Sequence, residues 1–268
     1  MNTDKGNPMK SFQGSIPALI TPMHEDAELD IGAWRQYSLW HNQQASAAVL
    51  LLGSTAESLL LTGIEREAIL STAAKSFTDK AVIVGISAVN TQQALEKVRQ
   101  AEHYGAQALL LSAPYYIRPC QQGIREYVET IASQTQLPII LYCIPSRVGV
   151  IMHNDTIMQC AQNKQIIGIK DAYTNRANRA ELIAKLPANF CYLSGDDDSC
   201  LDLIADGGDG VISVAANIAA ADFQHMIMHA LSKQKADNEH HKRLKPLLKA
   251  LALGPNPAVI KYLLAQVW

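Results

Sequence analysis

Short, wholly apolar runs alternate along the chain with longer stretches in which apolar residues recur every three to four positions. The runs Ile16–Ile20, Ala47–Leu52, Ala81–Ile86, Ala108–Leu111, Pro138–Tyr142, Ile166–Lys170, Phe190–Ser194 and Gly210–Ser213 predict eight strands. They are continuous rather than alternating, as parallel strands covered on both faces should be. Helical periodicity fills the gaps, at about 30–44, 65–77, 92–104, 121–134, 154–162, 176–186, 197–206 and 219–231. Thr62 with Glu65 reads as a capping box before the second helix. Asp30, Asn154 and Asp155 stand where helix caps are expected.

Eight strand–helix units in succession predict an α/β fold, a closed (β/α)8 TIM barrel. An open doubly wound sheet is the alternative, but no G-x-G-x-x-G turn follows a strand. The Gly207-Gly208-Asp209-Gly210 cluster precedes one and reads as a turn. The barrel is expected over 13–231, after an N-terminal tail of 1–12 and before a short C-terminal helical extension, 232–268. The charge run from Lys233 to Lys249 reads as a solvated helix face.

A chain of 268 residues, 48% apolar, buries a core of that size without staples. Its formal net charge of −2 gives no electrostatic case for nucleic acid or membrane, and no apolar run reaches a membrane span. The five cysteines show no CxxC spacing, which fits reduced thiols and a cytoplasmic protein. No His/Asp/Glu cluster has metal-ligand spacing, so no metal is expected. From Phe190 to Ser232 there is no lysine or arginine, in the region where such barrels hold phosphate. That disfavours a phosphorylated substrate. Cys143 has no histidine partner in view, which disfavours a thiol nucleophile.

Barrel chemistry gathers where strands end. Those ends read Thr21, Ser54-Thr55, Ser87, Tyr115-Tyr116, Tyr142, Lys170, Gly195-Asp196 and Ser213. Lys170 is the one charge closing a buried run. A lysine there either snorkels to water or is held dry, and a dry amine is a nucleophile for carbonyl carbon. Each hydroxyl also has a plain reading as a cap, a turn or a packed aromatic. Asp196–Asp198 reads as the opening turn of a helix. Together at one end of one barrel they favour a site.

The segments Gly53-Ser54-Thr55-Ala56-Glu57-Ser58, Ala113-Pro114-Tyr115-Tyr116, Leu141 to Arg147, Gly168-Ile169-Lys170-Asp171-Ala172, Leu193 to Asp197, Gly210 to Val214 and Pro255-Asn256-Pro257 resemble, in order, the dihydrodipicolinate synthase / N-acetylneuraminate lyase superfamily. The Pro145-Ser146-Arg147 turn resembles the dihydrodipicolinate synthases within it. The resemblance implies a Schiff-base lyase that condenses pyruvate with aspartate 4-semialdehyde to 4-hydroxy-tetrahydrodipicolinate, in lysine and diaminopimelate biosynthesis. It implies catalytic roles for Lys170 (the Schiff base), Tyr142, Ser54 and Tyr116, with Tyr116 reaching in from a neighbouring subunit of a homo-oligomer, dimer or tetramer. It implies substrate binding by Thr55, Arg147, Gly195 and Ile212, and no cofactor beyond the covalent pyruvate. Ala56 stands where members usually have glycine, Cys143 where they have asparagine, and the C-terminal helices are shorter. Lysine-sensitive members carry histidines where this chain has Gly63 and Arg66, an asparagine at Val89 and a glutamate at Gln93. Only Tyr115 is kept, so insensitivity to lysine is expected. Two other readings stay open: a pyruvate aldolase for another aldehyde, of the N-acetylneuraminate lyase or keto-deoxy-sugar type, and a shortened keto-acid-binding paralogue without turnover.

Overall fold

The computed structural model describes residues 12–232 and 238–268. The tail expected over 1–12 lies, but for Phe12, outside them. In chain order the elements are β1 (Gly14–Pro17), α1 (Ile31–Gln43), β2 (Ala48–Leu51), α2 (Gly63–Ser76), β3 (Ala81–Ile86), α3 (Thr91–His103), β4 (Ala108–Ser112), α4 (Gln121–Ala132), β5 (Ile139–Cys143), α5 (Pro145–Val148), α6 (Asn154–Cys160), β6 (Ile166–Asp171), α7 (Arg179–Lys185), β7 (Cys191–Ser194), α8 (Cys200–Ala205), β8 (Gly210–Ser213), α9 (Ala220–Leu231), α10 (Asn238–Leu251) and α11 (Ala258–Val267). All neighbouring strands pair in parallel, in the order β1-β8-β7-β6-β5-β4-β3-β2. An Ala18–Leu50 bridge joins β1 to β2 and closes the ring. This is the (β/α)8 barrel the apolar runs predict.

The period of two sorts the strand side chains into two layers. Ile16, Leu50, Ile83, Leu110, Ile140, Leu193 and Ile212 fill the barrel interior. Val49, Val84, Leu109, Leu141 and Ile169 point outward into a second cluster beneath the helices. Leu244 and Leu248 of α10 pack with Val211 and Phe223, while Ile260 and Leu264 of α11 join the outer cluster. Trp268 meets the rings of Tyr37 and Trp40 edge-on at 5.5 and 5.6 Å. No helix of the described residues is long and apolar enough to cross a membrane.

Where element ends depart from the pattern, a tertiary partner has taken the local donors or acceptors. The β1 ladder runs over 14–17 rather than 16–20. Beyond Pro17, the Leu19 amide turns to the Leu50 carbonyl and the Ile20 amide to the Asn217 side chain. Thr62 and Glu65 do form the capping box, and the Asp30 side chain caps α1. Asn154 and Asp155 do not cap α6. Its cap position is His153, without a side-chain bond, and the Asn154 amide is diverted to Arg176 and the Ala177 carbonyl. Helix α7 starts three residues late because Arg176 is drawn back to β6.

Candidate active site

Lys170 is the fifth residue of β6 and pairs with Tyr142 on one side and Leu193 on the other. Both neighbours face the barrel interior, so Lys170 does too. It is 4% exposed, and its terminal nitrogen lies over the Tyr142 ring, 4.5 Å from the centroid. The snorkelling alternative is therefore corrected: the strand ends inside a ring of loops, and the side chain points across the barrel. The Tyr142 hydroxyl lies 3.5 Å from Ser54 Oγ. Lys170, Tyr142 and Ser54 thus come together from three different strand ends.

The β2–α2 loop carries Ser54 and Thr55 over the barrel mouth by a sharp bend. Leu52 has φ of 54° and Glu57 has φ of 53°, costly for side-chain-bearing residues and held here by packing. Gly85 on β3 makes the bend possible: a Cβ there would lie 2.4 Å from the Leu52 carbonyl oxygen. Ala56, in place of the usual glycine, has no such left-handed φ, so its methyl is tolerated. Its carbonyl accepts from the Thr21 hydroxyl at 2.7 Å, which anchors the loop to the segment after β1.

Thr55 is buried, and its Oγ1 accepts from Asn256 Nδ2 at 3.0 Å. The carbonyl of the same Asn256 accepts from Arg147 Nη2 at 2.9 Å. Arg147 sits on the one-turn helix α5, opened by Pro145 and closed by Gly149 in the left-handed region at φ 78°. Thr55 and Arg147 are therefore tied together by one residue far along the chain. Ser54, Tyr115, Tyr142, Ser146, Arg147 and Pro257 are among the residues lining a cavity of about 540 Å³, a size for a small ligand.

Of the expected residues, Ser54, Tyr142 and Arg147 line this cavity; Lys170 and Thr55, both buried, do not, and three more stand elsewhere in this single chain. Tyr116, with φ 71°, is 87% exposed and does not line the cavity. Ile212, which pairs with Ile16 on β1, belongs to the inner-barrel cluster with Leu193 and Tyr142. Gly195 donates its amide to the Asp171 carbonyl, where a Cβ would strike Ala172 at 2.7 Å. It lines a second cavity, of about 250 Å³, with Asp196–Asp198 and α10–α11.

Sequence reasoning passed over a buried polar network behind Lys170. Asp171, facing outward from β6, forms an ion pair with Arg176 Nε, accepts from Arg176 Nη2 at 3.1 Å and from the Tyr192 hydroxyl at 2.6 Å. Arg176 also reaches Cys143 Sγ, the Met152 carbonyl and Asn154. Burial works against the charge of Arg176, yet the Asp171 carboxylate holds its pKa above the usual value. Burial, then the Asp171 charge, pushes the Cys143 thiol up to about 11, which keeps it protonated and unsuited to attack.

The three aspartates after β7 also divide their labour. Asp196 accepts from the Ser199 amide and hydroxyl, but the expectation that Asp196–Asp198 open the helix is corrected: α8 starts at Cys200, after all three, and carries no side-chain cap. Asp197 instead accepts from the amides of Val214 and Ala215 at 3.0 and 2.8 Å, pinning the loop after β8. Burial pushes its carboxyl up to about 6.

Comparison with known proteins matches residues 11–267 to the dihydrodipicolinate synthetase family. A 4-hydroxy-tetrahydrodipicolinate synthase of Neisseria meningitidis is 38% identical over 253 residues, 94% of this chain and 87% of that protein. The crystal structure of dihydrodipicolinate synthase from Aquifex aeolicus superposes with a TM-score of 0.87 at 36% identity, over 92% of this chain and 85% of that one. The chloride-inhibited dihydrodipicolinate synthase of Acinetobacter baumannii, complexed with pyruvate, superposes with a TM-score of 0.90 at 32% identity, over 95% and 88%.

Proposed function

Because the chain belongs to the dihydrodipicolinate synthetase family, we propose that it is a Schiff-base lyase condensing pyruvate with aspartate 4-semialdehyde to 4-hydroxy-tetrahydrodipicolinate. The observation that carries this reading is Lys170, its amine inside the barrel against Tyr142, with Ser54 beyond.

The free amine attacks the pyruvate ketone carbon, and the carbinolamine loses water to give the imine. Tyr142 is placed to give and take the protons of that exchange, and Ser54 to pass them on. Loss of a methyl proton gives the enamine, with the iminium nitrogen as electron sink. Its carbon attacks the aldehyde, the amino group of the second substrate displaces Lys170, and the cyclic product leaves. No cofactor beyond the pyruvate bound covalently to Lys170 enters this scheme.

Thr55 suits the pyruvate carboxylate. Its oxygen already accepts from Asn256, which leaves its own proton to donate to the carboxylate. Arg147 uses one Nη on Asn256 and keeps the rest of its fork for the carboxylate of the aldehyde substrate. Tyr116 completes the relay from a second copy of the chain. Its exposure, with that of Leu59, Leu60, Ile64 and Ile117, supports a homo-oligomer through this end of the barrel.

The test is a panel of aldehydes offered with pyruvate to the wild type and to Arg147→Ala. Aspartate 4-semialdehyde should be the preferred acceptor. Loss of a charge-assisted contact should lower its kcat/KM by about 100-fold and leave neutral aldehydes within a few-fold. Equal losses for charged and neutral aldehydes would sink the assignment of Arg147. Turnover of a neutral sugar aldehyde alone would move the chain to the lyase branch.

Lysine at millimolar concentration should not inhibit. Arg66 is buried with idle donors and repels an ammonium, and Gln93 offers no charge to attract one. A saturating inhibition curve in a steady-state assay would overturn this.

A further inference from the structure

Among the described residues lining the larger cavity, two carry charge: Arg147 and Glu57. The arginine suits an acidic substrate, and the carboxylate opposes one. Like charges in a half-enclosed site repel more strongly than in open water. Glu57 also stands only two residues after Thr55, which is placed for the pyruvate carboxylate. Its charge therefore needs an answer from outside the cavity.

Lys261 of α11 supplies it. Its Nζ donates to Glu57 Oε2 at 2.7 Å, with side-chain exposures of 24% for the lysine and 23% for the glutamate. Lys261 does not itself line the cavity. Its helix is fixed in place by Ile260 and Leu264, both buried in the outer cluster. The pair also bears on the backbone. The Glu57 amide donates to the Ser54 carbonyl at 3.1 Å and so closes the turn that carries Ser54 and Thr55. Glu57 holds φ of 53°, which a residue with a side chain keeps only where its surroundings enforce it. Asn256 grips that turn at Thr55, and Lys261 grips it again at Glu57.

We infer that Lys261 is a positioning residue that sets the charge selectivity of the cavity. By pairing with Glu57 it cancels the one acid on the wall and holds the turn at Thr55, so that carboxylate substrates are admitted. The inference rests on the reading of this site as one for pyruvate and an acidic aldehyde, and deepens it. Without Lys261, Glu57 repels the same carboxylates that Thr55 and Arg147 are placed to bind. A neutral ligand of the same shape does not meet that repulsion.

The experiment compares pyruvate with its neutral methyl ester, in the parent, Lys261→Met, Lys261→Arg, and Lys261→Met combined with Glu57→Gln. Half-saturation is read by borohydride trapping and, separately, by calorimetric binding. Lys261→Met should raise the half-saturating pyruvate concentration about tenfold and that of the ester about twofold or less. The pyruvate defect should shrink as ionic strength rises. Lys261→Arg should stay within about threefold of the parent, since it keeps the charge-assisted bond. Adding Glu57→Gln to Lys261→Met should recover most of the loss for pyruvate. Equal weakening of pyruvate and ester, no recovery with Glu57→Gln, or unchanged pyruvate affinity in Lys261→Met each overturns the inference. A parent that binds pyruvate but traps no adduct fails the catalytic reading alone, and the affinities still decide on Lys261. A parent that binds neither ligand overturns both.

Discussion

Lys170→Met should remove turnover altogether, by about 10⁴-fold or more in kcat, and leave a folded protein. The side chain is inside the barrel at 4% exposure, its ammonium resting on the Tyr142 ring. Methionine keeps the length and fills the same space between Leu193 and Tyr142. It also removes a buried amine that has no acid partner among the described residues, so the thermal midpoint should hold or rise. Pyruvate with borohydride should add the mass of a reduced pyruvate imine to the wild type, on the peptide holding Lys170, and nothing to the variant. An adduct that persists in Lys170→Met would place the Schiff base on another lysine. No adduct in the wild type would remove the enzyme reading and leave a keto-acid-binding protein. A catalytic loss that comes with a collapsed midpoint would show that Lys170 holds structure rather than substrate.

Lys170 was legible because a charge that ends an apolar run has few explanations, and strand periodicity places it inside the barrel. The eight strands were legible for the same reason: each apolar run is short, and its ends are marked by turn residues. What escaped reading were partnerships without a local period. Asp171 and Arg176 are five residues apart across a strand end, a spacing that no helix or strand rule connects. Arg176 reads as the first residue of a helix until it is seen to be drawn back, which also costs Asn154 its expected cap. Asn256 is invisible for another reason: it joins Thr55 and Arg147 from separations of 201 and 109 residues. The role of Asp197 was hidden among three adjacent acids, which the local pattern assigns to the opening turn of a helix that starts only at Cys200. Sequence pattern reports what each segment does with its own backbone. These groups answer to other segments, and they gather where the loops meet.

The largest expected stability effect comes from the same hidden network. Arg176→Met should lower stability by about 3–5 kcal/mol, or roughly 6–20 °C in the midpoint of thermal unfolding. The ion pair is sealed, with side-chain exposures of 2% for Arg176 and 1% for Asp171, so truncating Arg176 leaves a carboxylate with no countercharge. The Tyr192 hydroxyl and the Tyr173 amide still donate to it, but neither carries charge. Asp171→Asn in the same background removes the orphaned charge and should recover at least half of the loss. That recovery separates an electrostatic cause from lost packing, because the methionine is present in both variants. If the double variant is as unstable as the two single losses summed, the pair contributes shape alone. Activity gives a second readout. Asp171 follows Lys170 on β6, and Arg176 touches Cys143, the neighbour of Tyr142 on β5. A shift of about 1 Å between those strand ends misaligns amine and hydroxyl and can cost as much as 100-fold. The variant should therefore show a depressed kcat well below its midpoint, where it is still folded, and the double variant should regain part of it.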